Sequence, residues 1–178
     1  EKTEPPSLRD PYLLEIGEIA HIMAQQASSS SSSAMKRVGV HPLVIASCCD
    51  HYSRMELGGA LHSGMGLPTV GILFGYNAGA TEVIVKDAVD AAPVEGTVAG
   101  DTFVLDVEVC LQKKDLWVGV DPNIELIGWY TFGEFTEANM TLCKNIHKSL
   151  IEADLALTPV MMLLNPNPDP EGKSLPLK

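Results

Sequence analysis

The residues with which this chain could hold a metal or attack a substrate are His21, His41, His51, His62 and His147, with Cys48, Cys49, Cys110 and Cys143. A tetrahedral zinc site needs three or four converging ligands, usually anchored by a closely spaced pair. No HxH, HxxxH, HExxH or CxxC occurs here. The densest cluster is Cys48, Cys49, Asp50 and His51. On a helix Cys48 and His51 share a face and make a two-ligand fragment, while Cys49 points elsewhere; the simpler reading is a helix with buried thiols and a polar edge. Cys143 and His147 lie one helical turn apart and can meet, yet no third group is supplied to orient them for nucleophilic chemistry. They read as a core thiol and a helix-surface histidine. No GxSxG, GxGxxG or P-loop is present, and the glycines of VGILFG (70–75) suit close strand packing. The aromatic pair Trp129 and Tyr130, in IELIGWYTFGEFTE (124–137), stands at a strand end, where a ligand platform and simple core closure are both open readings.

The elements that must position these groups form a mixed pattern. Residues 36–40 read as a short strand. A helix follows, with Pro42 in its first turn, where the missing N–H costs nothing. Leu43, Ile45, Ala46, Cys49 and Tyr52 can supply much of its apolar side. Residues 69–76 and 80–89 read as two strands around the turn NAG. TFVLDVEVC (102–110) alternates as a strand would, and a helix over 107–119 competes for its second half. ELIGWY (125–130) is a buried strand. Thr136 can cap a helix over 137–153 that stripes Met140, Cys143, His147 and Leu150 on one side. VMMLLNP (160–166) is a last strand, stopped by proline. Strands and helices so interspersed, with non-alternating apolar strands, indicate an α/β sheet covered by helices.

Organisation follows from composition. Residues 1–34 read as a flexible N-terminal segment, with a short helix over 12–26 and a serine run at 28–33 as linker. The folded domain spans 35–166, and 167–178 is a C-terminal loop. The length of 178 residues suits one domain with a sizeable core. Twelve basic against 23 acidic residues give a net charge of −11, which argues against a grip on nucleic acid phosphates or an acidic membrane. No run approaches the roughly 18–20 apolar residues of a membrane helix. EKTEPPSLRDPYLLE has no basic region leading into an apolar one, so no signal peptide is expected. The scattered cysteines fit a reducing compartment.

Four segments, VGVHPLVIASCCDHYSRM (38–55), VGILFG (70–75), LIGWYTFG (126–133) and LLNP (163–166), resemble in order and spacing the MPN (Mov34/Pad1 N-terminal) domain. The phrases HPLV, DHYSRM, WYTFG, IHKSLIE and LLNP are most similar to its non-catalytic branch. That branch is found in the COP9 signalosome, and next in the proteasome lid and translation initiation factor 3. The resemblance implies the JAMM-like, cytidine-deaminase-like α/β fold, a central mixed sheet flanked by helices. Active members are zinc isopeptidases that remove ubiquitin or ubiquitin-like proteins. An upstream glutamate activates a zinc-bound water, two histidines of HxHP and an aspartate hold the metal, and a serine helps hold the oxyanion.

Carried over residue by residue, that pattern fails here. The glutamate position is Pro68, the two histidine positions are Thr131 and Gly133, and the proline position is Glu134. Counted on without gaps, the serine falls at Thr141 and the aspartate at Lys144, within one or two residues. The resemblance therefore implies a pseudoenzyme with no catalytic residues, no metal and no cofactor. It implies pairing with a catalytic MPN subunit inside a larger complex that removes NEDD8 from cullins, in cytoplasm and nucleus. The helices over 42–55 and 137–153 are the candidate pairing surfaces. Relatives continue into further helices, so a chain ending at Lys178 is expected to be the isolated domain, short of a last strand. An atypical metalloprotease using Cys48, His51 and Glu134, and a module binding ubiquitin or a peptide at a sheet edge, are the alternatives.

Overall fold

The computed structural model describes residues 37–58, 69–79, 81–94, 104–133 and 137–165. The expected helix over 12–26, the serine run, Pro68, Glu134, the Thr136 cap and the C-terminal loop all lie outside the described residues. Within them the element order is β1 (Arg37–Val40), α1 (Pro42–Leu57), β2 (Val70–Asn77), β3 (Glu82–Asp90), α2 (Val107–Val120), β4 (Glu125–Phe132), α3 (Glu137–Glu152) and β5 (Val160–Leu164). The five strands form one mixed sheet in the order β1-β3-β2-β4-β5. The central pairs β2–β3 and β2–β4 are antiparallel, and the outer pairs β1–β3 and β4–β5 are parallel. This is the expected α/β architecture with a central mixed sheet. No helix among the described residues is long and apolar enough to cross a membrane.

Both faces of the sheet are covered, which is why β2 is apolar in nearly every position rather than alternating. On one face Val40, Val44 and Cys48 pack with Leu73, Val83, Val85, Ile127 and Tyr130. On the other, Ile72, Phe74 and Trp129 pack with Leu105, Cys110, Cys143, Ile146 and Leu150. The close packing expected of VGILFG is present: a Cβ at Gly71 would fall inside the Tyr130 ring, and one at Gly75 would collide with the Ile84 carbonyl.

One local reading is corrected and one open alternative is settled. The buried stripe of α1 is Val44, Cys48 and His51, spaced by four and three residues, while Leu43, Ala46 and Cys49 face solvent. Collecting apolar residues by type misplaced the stripe by one position, because the middle of the true stripe is a thiol and its end a histidine. Residues 104–110 also resolve toward the helical alternative. Leu105 makes a single bridge to Pro93, and α2 begins at Val107. The deciding local signal is Asp106, whose carboxylate accepts the Val109 N–H at 3.1 Å, with Glu108 in the first turn.

β1 is short and covers only Glu82–Val85 of β3. Beyond it the Ala88 N–H donates to the Asp87 carboxylate at 2.8 Å, and the Lys113 ammonium donates to the Asp90 carbonyl.

Candidate functional site

The candidate site is the C-terminal end of β4, where alternation sends successive side chains to opposite faces. Trp129 and Thr131 face α2 and α3. Tyr130 and Phe132 face α1, where Phe132 stacks on Tyr52 with ring centroids 4.7 Å apart. Trp129 and Tyr130 are fully buried, so the pair closes the two cores and offers no open platform.

On the zinc-site side, Thr131 is buried between Val70 of β2 and Leu163 of β5. Gly133 follows with φ of 128°, and its N–H donates to the Leu164 carbonyl at 2.9 Å. Side chains other than glycine rarely adopt that φ. The second ligand position therefore differs from a histidine in its backbone as well as its side chain. On α3, Thr141 and Lys144 face solvent, and the buried residues among its described side chains are Cys143, Ile146 and Leu150. No carboxylate occurs within two residues of Lys144. A threonine hydroxyl, a glycine and an ammonium do not fit a zinc ion, which needs imidazole and carboxylate donors and is repelled by a cation. The catalytic ligand set is degenerate in this chain.

Cys48 and His51 share a face, as the helical spacing requires, and both meet the Tyr130 hydroxyl. His51 Nδ1 lies 2.8 Å from Tyr130 Oη and 3.5 Å from Asp90 Oδ1. Burial, outweighing a hydrogen bond from Tyr130, pushes the Cys48 thiol up to about 12, so it carries no thiolate at neutral pH. Burial also raises Tyr130, leaving its proton in place. Burial lowers His51 despite the nearby Asp90 carboxylate. Asp90 is itself held by Arg54, with Nη1 2.9 Å from Oδ2 and Nη2 3.1 Å from Oδ1. Burial works the other way, but these bonds together with the charges of His51, Arg54 and Lys113 keep Asp90 below the usual carboxylate range. Among the described residues no group of three or more His, Cys, Asp or Glu is placed to hold a metal ion. Elsewhere, Cys143 is buried and burial raises its thiol, while half-buried His147 is shifted down by burial. All four cysteines are free thiols.

Sequence reasoning missed Asp90, Arg54 and Lys113 as companions of His51. Asp50 and Arg54, four apart on α1, form an ion pair at 2.9 Å that spacing alone suggests. The reach of Arg54 to Asp90, 36 residues away, has no local signal. It also missed α2 as an exposed apolar surface: Leu116 and Val120, one turn apart, are 73% and 78% exposed.

A family model described as JAB1/Mov34/MPN/PAD-1 ubiquitin protease matches residues 33–151. The chain is 31% identical over 169 residues to COP9 signalosome complex subunit 6 of Oryza sativa subsp. japonica, covering 88% of this chain and 47% of that protein. It is 30% identical over 166 residues to subunit 6a of Arabidopsis thaliana, covering 84% and 48%. Against subunit 6 of Caenorhabditis elegans it is 31% identical over 114 residues, covering 63% and 25%. The chain thus spans about half the length of the plant relatives. The matched region runs from β1 almost to the end of α3 and includes the whole degenerate strand end, and on that ground the chain belongs to the JAB1/Mov34/MPN/PAD-1 family.

Proposed function

We propose that this chain is a non-catalytic MPN subunit of a COP9 signalosome complex, acting as a scaffold rather than as a protease. In this reading it pairs with the catalytic MPN subunit and supports the removal of NEDD8 from cullins, in cytoplasm and nucleus. The observation that carries the non-catalytic part is the pair Thr131 and Gly133, one buried between β2 and β5 and the other at φ of 128°. The relatives' names support the choice of complex.

Pairing needs an apolar surface, and exposed apolar residues stand on two helices, one on each face of the sheet. Leu43 and Leu57 of α1 are 64% and 88% exposed, and Leu116 and Val120 of α2 stand out comparably. Leu116 and Val120, one turn apart, make the adjacent apolar pair that best fits a contact with another protein. The experiment mixes the purified chain with a catalytic MPN subunit and follows co-elution, zinc content and cleavage of NEDD8 and ubiquitin conjugates. Co-elution, no zinc in the chain alone and no cleavage by it are expected. Leu116→Asp with Val120→Asp should abolish co-elution while leaving the unfolding midpoint unchanged. Stoichiometric zinc in the chain alone, with cleavage lost on chelation, would overturn the scaffold reading.

A further inference from the structure

Three polar side chains from three elements meet beneath α1, at the edge where its apolar packing gives way to charged residues. We propose that His51, Tyr130 and Asp90 form an acid-sensitive latch, which holds the C-terminal half of α1 on the sheet near neutral pH and loosens it under mild acid. His51 is the last buried residue of α1, after Val44 and Cys48. From Ser53 to Leu57 no side chain of the helix is buried, so this half is held by His51, the Tyr52–Phe132 ring contact and the Arg54–Asp90 pair.

The imidazole is 4% exposed, and its Nδ1 faces both the Tyr130 hydroxyl and an Asp90 oxygen. With Asp90 ionised, the tautomer carrying its proton on Nδ1 suits both neighbours, since it donates where two oxygens wait. Tyr130 then has its own proton free for the Cys48 sulfur, with which it is hydrogen-bonded. A second proton, on Nε2, makes an imidazolium inside the packed face. The groups that bear on it are Asp50 and Arg54 from α1, Asp90 from β3, Lys113 from α2 and Tyr130 from β4, while Cys48 and Asp87 lie one step further out. Asp90 and Asp50 favour the added charge, while Arg54 and Lys113 oppose it. Asp90 has both oxygens engaged by the Arg54 guanidinium, so it cannot turn wholly to His51. Burial decides the balance and lowers the histidine. The unfolded chain accepts this proton near the ordinary value of about 6.5, before the folded chain does. Stability is therefore full above that value and is lost as pH falls toward the lower, folded one.

The test is amide hydrogen exchange of the full 178-residue chain, followed from about pH 7.5 to about pH 5.5 and corrected for intrinsic rates. Protection of α1 should fall, by up to about tenfold per pH unit, more steeply than protection of β2. His51→Asn, which keeps a polar group near the Nδ1 position and removes the titration, should flatten the α1 response. Should that variant not fold, the ring resonances of His51 in the native chain decide. A midpoint below about 6.5 supports the latch, and one at or above it overturns the latch. Protection of α1 that stays constant or rises on acidification also overturns it, because Asp90 would then be stabilising the imidazolium.

Discussion

The two faces of β4 have met different fates. Toward α3, the strand presents Thr131 and then Gly133, a small hydroxyl followed by no side chain at all. Toward α1, one residue away, Tyr130 is seated over Gly71 and hydrogen-bonded to His51, with Asp90 and Arg54 completing the group. Period-two alternation lets one strand carry both conditions, since a substitution on one face leaves the other face's contacts in place. The contrast teaches that the architecture of this strand end depends on its packing and its hydrogen bonds to α1. Metal ligands are not needed to hold it.

The largest expected break in that contrast is Tyr130→Ala. It deletes a fully buried ring and the hydroxyl beneath α1, and denaturant unfolding should show a loss of about 3–5 kcal/mol. Thr131→Ala, on the other face, should cost about 1 kcal/mol. Similar losses for the two variants would mean that the faces are not energetically distinct. Tyr130→Phe is smaller and more selective. It keeps the packing and leaves His51 without its hydroxyl partner, so the expected loss is about 1–3 kcal/mol. A variant as stable as the native chain would show that the His51 contact adds nothing.

The third experiment puts histidines back at both ligand positions, as Thr131→His with Gly133→His. The pair should not recover zinc by elemental analysis, because Gly133 has a φ of 128° and α3 offers Lys144 where an acidic ligand is needed. Forcing a side chain into this sparsely populated backbone region should cost about 1–3 kcal/mol in the same unfolding assay. Stoichiometric zinc in this variant would show that the strand end still holds the backbone geometry of a metal site.

How far the sequence could be read depended on whether the signal was local. The strands β2, β4 and β5 were legible as apolar runs with glycine or proline beside them, and Pro42 marked the start of α1 within its first turn. The loss of the ligand pair could be read from the residue types at 131 and 133, but the φ of Gly133 could not. The burial of α1 was misread because amphipathic bookkeeping by residue type counts Leu43 as core and His51 as surface, whereas the sheet beneath selects by angle around the helix. The Asp90–Arg54–His51 group was invisible because it joins positions on separate elements, brought together only by the crossing of α1 over β3. For α2 the obstacle was different. Only Cys110 is buried along it, so its many apolar residues show no single inward stripe.

The shortness of β1 has a consequence for how this molecule behaves in a crowded solution. Lys86–Asp90 of β3 extend past their parallel partner, and a strand edge of that kind templates the addition of foreign chains. Here the Ala88 amide is occupied by the carboxylate of the preceding residue, and the Asp90 carbonyl by an ammonium from α2. Neighbouring side chains thus take up backbone groups that an aggregating strand would otherwise use, and charged Lys86, Asp87 and Asp90 raise the cost of its approach. Replacing Asp87 or Lys113 would expose a short adhesive margin without touching the hydrophobic core, and self-association of an otherwise folded protein is the failure to watch for.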